Sequence, residues 1–166
     1  MSWIDPRTAR SLGAGHYHGM TFGWTLLVVL GLLNLFRGGI HVFKSDGGAA
    51  SIAGIDLSQN AEVILTLFAA MGVAQLLMGV IDLAVGLRFR ALVPLLLGYH
   101  LVHQIAAALV VWWWKPLPVE APGKFGAVAL IPVVALGLFS ALRRRDAARG
   151  NEAATTPVST QRGVEA

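Results

Sequence analysis

Four apolar runs, each about as long as a bilayer crossing, constrain this chain more than any other feature. They cover roughly residues 21–43, 61–87, 91–114 and 125–142, and only Arg37, Glu62 and Asp82 carry charge within them. A helix needs ~20 predominantly apolar residues to cross a ~30 Å hydrocarbon core, and each run supplies that. A spanning barrel would instead need many ~10-residue segments alternating with period two, and no such alternation occurs. Composition agrees: 55% of residues are hydrophobic and 13% charged, against about 25% charged in soluble domains. Disorder is excluded on the same grounds. The expected fold is all-α, an integral membrane four-helix bundle, with a tail over residues 1–20, a membrane domain over 21–142, and a basic then disordered tail over 143–166.

The net charge of +4 invites a nucleic-acid reading, but the positions of the charges oppose it. Arg7, Arg10, Arg88, Arg90, Arg143, Arg144, Arg145, Arg149 and Arg162 all fall in the two tails or in the link between runs two and three. Lys44, Lys115 and Lys124 fall in the other two loops, and Arg37 lies inside the first run. Cationic segments resist translocation, so this alternation predicts cytoplasmic termini, N-in and C-in, in a cell inner (plasma) membrane. No basic platform interleaved with aromatics exists, so nucleic acid is not an expected partner. The bilayer is, and the arginines at 143–145 would lie against anionic headgroups. The polar first 20 residues followed by so long a run do not read as a cleavable signal, so helix one is expected to stay as an anchor.

The link Arg88-Phe89-Arg90 is short enough to predict a tight antiparallel hairpin of helices two and three. Ser58 and Asn60 are candidate caps for the second helix. Trp112, Trp113 and Trp114 end the third run, where an interfacial aromatic belt is expected. Gly72, Gly79 and Gly86 recur every seven residues, a spacing suited to close helix contact. Pro132 and Gly137 are candidate bends in the fourth helix.

Polar side chains in hydrocarbon are costly and therefore candidate functional groups. Asn34, Arg37 and His41 share one face of the first helix, and Gln75 and Asp82 share one face of the second. His100, His103 and Gln104 cluster on the third. With ~1.5 Å of rise per residue, Asn34, Gln75, His100, His103 and Gln104 project near the midplane, while Arg37, His41 and Glu62 lie farther outward. These eight residues define an expected outward-facing polar pocket. Asp82 lies in the inner half, where Arg88 and Arg90 could reach it in a structural ion pair. The same amides and histidines could equally serve as interhelical hydrogen-bond glue, and Arg37 could simply snorkel toward Glu62.

The chemistry open to such a cluster is narrow. There are no cysteines, so thiolate nucleophiles and Cys-ligated metal sites are excluded. His100 and His103 share a helix and a face, so they cannot ligate one haem from opposite sides, and His41 lies ~10 Å shallower. A metal site from His41, His100, His103 and Glu62 has suitable ligand types but the same depth mismatch, so neither haem nor metal is expected. No GxSxG motif accompanies the histidines, and no catalytic residue is assigned.

The segment Leu35-Phe36-Arg37-Gly38-Gly39-Ile40-His41, the outer-loop end Ala53-Gly54-Ile55-Asp56 and the glycine-punctuated second helix from Gly72 to Gly86 resemble the DoxX-like group of small bacterial membrane proteins and their uncharacterised four-helix relatives. The resemblance covers about residues 21–142 and implies an association with redox-linked membrane complexes. The expected role is binding of a small amphiphile, or that of an accessory subunit, rather than catalysis. A quinone-linked redox subunit and a small transporter or proton conductor are the alternatives. Quinone or lipid, further copies of the chain, or a larger membrane complex are the candidate partners.

Overall fold

The structure, a computed structural model, describes Tyr17 and residues 19–143, and the expectations for the two tails fall outside them. Four long helices account for most of this length: α1 (Thr21–Phe43), α2 (Ala61–Leu87), α3 (Val93–Leu109) and α4 (Pro122–Leu142). No strand occurs among the described residues. With the turns flanking α3 counted, all four segments are long and apolar enough to cross a membrane.

Local chemistry sets the helix ends. α4 begins three residues before the expected position because Pro122 occupies its first turn, where a missing N–H breaks no helical bond. The third run is not one uniform helix. A 3₁₀ turn, Arg90–Leu92, leads into α3, and a π-helical turn, Val110–Trp114, extends it. α2 starts after Asn60, which takes a left-handed conformation (φ 57°) without a side-chain cap bond. The other candidate cap, Ser58, donates its hydroxyl to Asp56 at 2.8 Å instead. Pro132 lies inside α4, which runs on without a break to Leu142.

The bundle divides into two close pairs, α1 with α2 and α3 with α4, and α1 also packs on α4. The expected hairpin of helices two and three does not form: α2 and α3 share the short link but barely touch along their lengths. Glycine explains the choice of partner. A Cβ on Gly79 would stand 2.8 Å from the Gly31 carbonyl oxygen, and one on Gly31 3.1 Å from that of Gly79. Seven residues on, a Cβ on Gly38 would stand 2.7 Å from the Gly72 oxygen, and one on Gly72 3.0 Å from that of Gly38. Two reciprocal glycine crossings bring the backbones of α1 and α2 together, and the small-residue face of α2 is used up there.

The chain ends of the bundle lie together. Met20 N–H donates to the Ser140 carbonyl at 3.0 Å, which ties the start of α1 to the end of α4. Arg88, Arg90 and Arg143 share this end, and each guanidinium lies over an aromatic ring, Arg90 at 4.0 Å above Trp24 and Arg143 at 4.3 Å above Phe139. This arginine end holds the core, built from Leu26, Leu27, Leu30, Val85, Val93, Leu97, Val134 and Ala141. The opposite, loop end carries the connections 44–60 and 115–121. There Asp46 accepts the amides of Gly48 (3.0 Å) and Ser51 (2.8 Å), folding the first connection back on itself.

Candidate functional site

Halfway along the bundle, three helices meet through a buried polar cluster. Asp82 of α2 is fully buried, and its two carboxylate oxygens are used separately. Oδ2 accepts the Asn34 side-chain amide of α1 at 3.1 Å, and Oδ1 faces His100 Nε2 of α3 at 2.9 Å. Asp82 thus joins α1 and α3 through one side chain, each carboxyl oxygen serving a different helix.

Helix direction explains why residues at different levels meet. Side chains lean toward the N-terminus of their own helix, so Asn34 and Asp82, on antiparallel helices, lean toward each other. They converge at the Gly31–Gly79 crossing. A Cβ on Gly31 would stand 2.9 Å from Asp82 Cβ, so glycine at 31 makes the room that Asp82 occupies.

This arrangement corrects the expected ion pair of Asp82 with Arg88 and Arg90. Arg90 donates Nε–H to the Gly86 carbonyl at 3.1 Å and lies over Trp24, while Arg88 lies over Phe89. Both arginines are held by aromatic faces at the chain-end side of the bundle, whereas Asp82 leans toward its middle and finds its partners on α1 and α3.

The expected pocket residues separate into three groups. Asn34 and His100 belong to the Asp82 cluster. His41 and Glu62 are not drawn together: His41 Nδ1 lies 2.7 Å from the Gly47 carbonyl, its ring meets Phe68 edge-on at 5.2 Å, and Glu62 is exposed, with no bonded partner among the described residues. His41 therefore fastens the first connection to α1. The third group is Arg37, Gln75, His103 and Gln104, all on the loop side of the cluster.

None of these four makes a hydrogen bond or ion pair with another described residue. Arg37 ends beside Gly123 at the start of α4, with Nη2 3.7 Å from where a Cβ would stand, and lies within electrostatic reach of His103. His103 is exposed and stacks on Tyr99, rings 6.0 Å apart and 23° from parallel. The Gln75 carbonyl oxygen is buried without a donor. A buried acceptor left unmatched costs about 1–3 kcal/mol. A guanidinium in hydrocarbon without a counter-ion is likewise exceptional.

Sequence reasoning named Asn34, Asp82 and His100 but missed the junction they form. The available signal was the glycine at 31, seven residues before Gly38, which matches the spacing on α2. Among the described residues, no three His, Asp or Glu side chains converge in a way that would hold a metal ion. Comparison with protein-family models, curated proteins and solved structures finds no match.

Proposed function

We propose that this is a multi-pass inner-membrane protein with both termini cytoplasmic, which binds a small amphiphile in its loop-side half in a binding or accessory role. The observation that carries the reading is Arg37. It is a permanent cation one and a half turns inside α1, with no carboxylate among the described residues bonded to it and with His103 within its electrostatic reach. A charge so placed is stabilised when an amphiphile supplies the missing acceptor. The positions of the arginines support the orientation, and the DoxX-like resemblance points toward a membrane complex as the setting.

Mass spectrometry of what co-purifies in mild detergent tests this. The expected result is a defined hydrophobic molecule retained by the wild type and lost from Arg37→Leu. A preparation carrying only detergent and bulk lipid, unchanged in the variant, overturns it.

The Asp82–His100 pair favours a second reading, proton conduction, because a buried acid and imidazole in hydrogen-bond contact are relay components. Proton flux in liposomes that falls at least tenfold in Asp82→Asn supports it, and flux equal to protein-free liposomes removes it.

A further inference from the structure

The two halves of this bundle are filled differently. Every buried residue larger than alanine, among those described, lies in the Asp82–His100 layer or between it and the arginine end. On the loop side, the buried non-glycine residues are Ala49, Ala108 and Ala121. Helices in a bundle ordinarily interdigitate large side chains along their whole length. Here the loop-side half supplies none that is fully enclosed, and Arg37, Gln75, His103 and Gln104 there have no hydrogen-bond partner among the described residues.

The helix pairing shows where that half is open. α1 and α2 are drawn together by glycine, α3 and α4 pack on each other, and α2 and α3 touch little along their lengths, with Asp82–His100 as their hydrogen-bonded contact. Outward of that contact the helix faces that carry Asp82 and His100 continue toward the loop end. Gln75 lies two turns beyond Asp82 on the same face of α2, with Met71 one turn farther, and His103 lies one turn beyond His100 on α3. Met71 is 42% exposed and Tyr99, against which His103 stacks, 47%.

We infer that the opening between α2 and α3 is a lateral, bilayer-facing cleft that takes an acidic amphiphile, its phosphate or carboxylate head on Arg37 and His103 and its hydrocarbon chain between the two helices. The inference rests on the amphiphile-binding reading and adds the head chemistry and the route. Charge selects the head: Arg37 is a cation without an anion, and a guanidinium matches the paired oxygens of a phosphate or carboxylate. Surface selects the tail, because the walls beyond the polar groups are apolar and border the hydrocarbon. The Asp82–His100 contact closes the cleft at its inner end, so the chain enters from the side.

The absence of cysteine makes the route directly testable. Met71→Cys places a single thiol at the lip of the cleft. Leu32→Cys places one on α1, 55% exposed, on the face turned away from the other helices. Each variant, with and without a bulky maleimide adduct, is purified from vesicles of phosphatidylcholine containing either phosphatidylglycerol or oleate, and retained lipid is read by native mass spectrometry. Retention of phosphatidylglycerol or oleate at least tenfold above phosphatidylcholine is expected, and the preferred probe distinguishes a phosphate from a carboxylate head. Retention should fall at least tenfold in the Met71→Cys adduct and in Arg37→Gln, fall less in Arg37→Lys, and persist in the Leu32→Cys adduct. Arg37→Lys keeps the charge, so its retention separates loss of binding from loss of fold. Undiminished retention in the Met71→Cys adduct overturns the lateral route but leaves amphiphile binding intact. Equal retention of all three lipids overturns the acidic head. Retention of none by the wild type overturns the amphiphile-binding reading itself.

Discussion

Asp82 and Asp46 show how differently two carboxylates can be used in one chain. Asp82 is fully buried in the bundle and held by an amide and an imidazole from two other helices. Asp82→Ala would strand both partners in the interior. A buried polar group left unmatched costs about 1–3 kcal/mol. Asp82→Ala orphans two such partners and is expected to lower stability in detergent by more than Asn34→Ala, which leaves the His100 contact in place and costs about 1–3 kcal/mol. Chemical unfolding of the two variants side by side checks the ranking. Asp46 is a solvent-side residue whose carboxyl is held far below the usual range, first by the Ser51 hydroxyl, then by the Ser51 and Gly48 amides. Asp56 is lowered likewise by the Ser58 amide and hydroxyl. A depressed carboxyl contributes fully above its unfolded pKa, near 3.9, and its contribution is lost as pH falls through the folded value. The Gly48 and Ser51 amides should therefore keep their hydrogen-exchange protection, corrected for intrinsic rate, from pH 7 to pH 4 and lose it only below. Loss between pH 6 and pH 5 would contradict this.

At the scale of elements, glycines separate into those that set helix contact and those that do not. Gly79 faces the Gly31 backbone, which cannot move aside as a flexible side chain would. Gly79→Leu should force α1 and α2 apart at a cost of about 1–3 kcal/mol, the range for overpacking. Gly98, in α3, has nothing within 4 Å of a Cβ built on it. Gly98→Ala should be neutral or stabilising by up to ~1 kcal/mol, since alanine favours helix over glycine. Thermal melts of both variants against wild type decide the point, and equal effects would sink the seam as the determinant of pairing. The seam also marks what could be read in advance. Period-seven glycines on α2 were visible as a contact face, but nothing in the spacing said whether α1 or α3 would occupy it. The short link argued for α3. The matching glycines of α1 won, because backbone proximity depends on small residues on both helices, whereas a short link constrains only the helix ends.

The whole molecule is asymmetric between its ends. Its cations illustrate this: Arg88, Arg90 and Arg143 lie over aromatic rings at one end, and Lys124 lies 4.4 Å above Trp112 at the other. Rings at both ends hold charged groups by cation–π contact, as an aromatic belt would at the two edges of a bilayer. The proposed orientation predicts that Ser51→Cys in the cysteine-free chain is labelled by an impermeant maleimide in intact cells, and Phe89→Cys only after permeabilisation. The opposite pattern would invert the topology. Helix number, approximate bounds and candidate polar residues follow from the sequence alone, because hydrocarbon imposes a length and a polarity on any segment that crosses it. Which helix pairs with which, which polar groups find partners, and which half of the bundle is filled are decided only in three dimensions. Asn34, Asp82 and His100 lie far apart in the chain and meet because side chains on antiparallel helices lean toward one another across a gap left by glycine. Arg37, Gln75 and His103 belong to the same residue classes and remain unmatched because α2 turns its small face to α1 and leaves α3 apart.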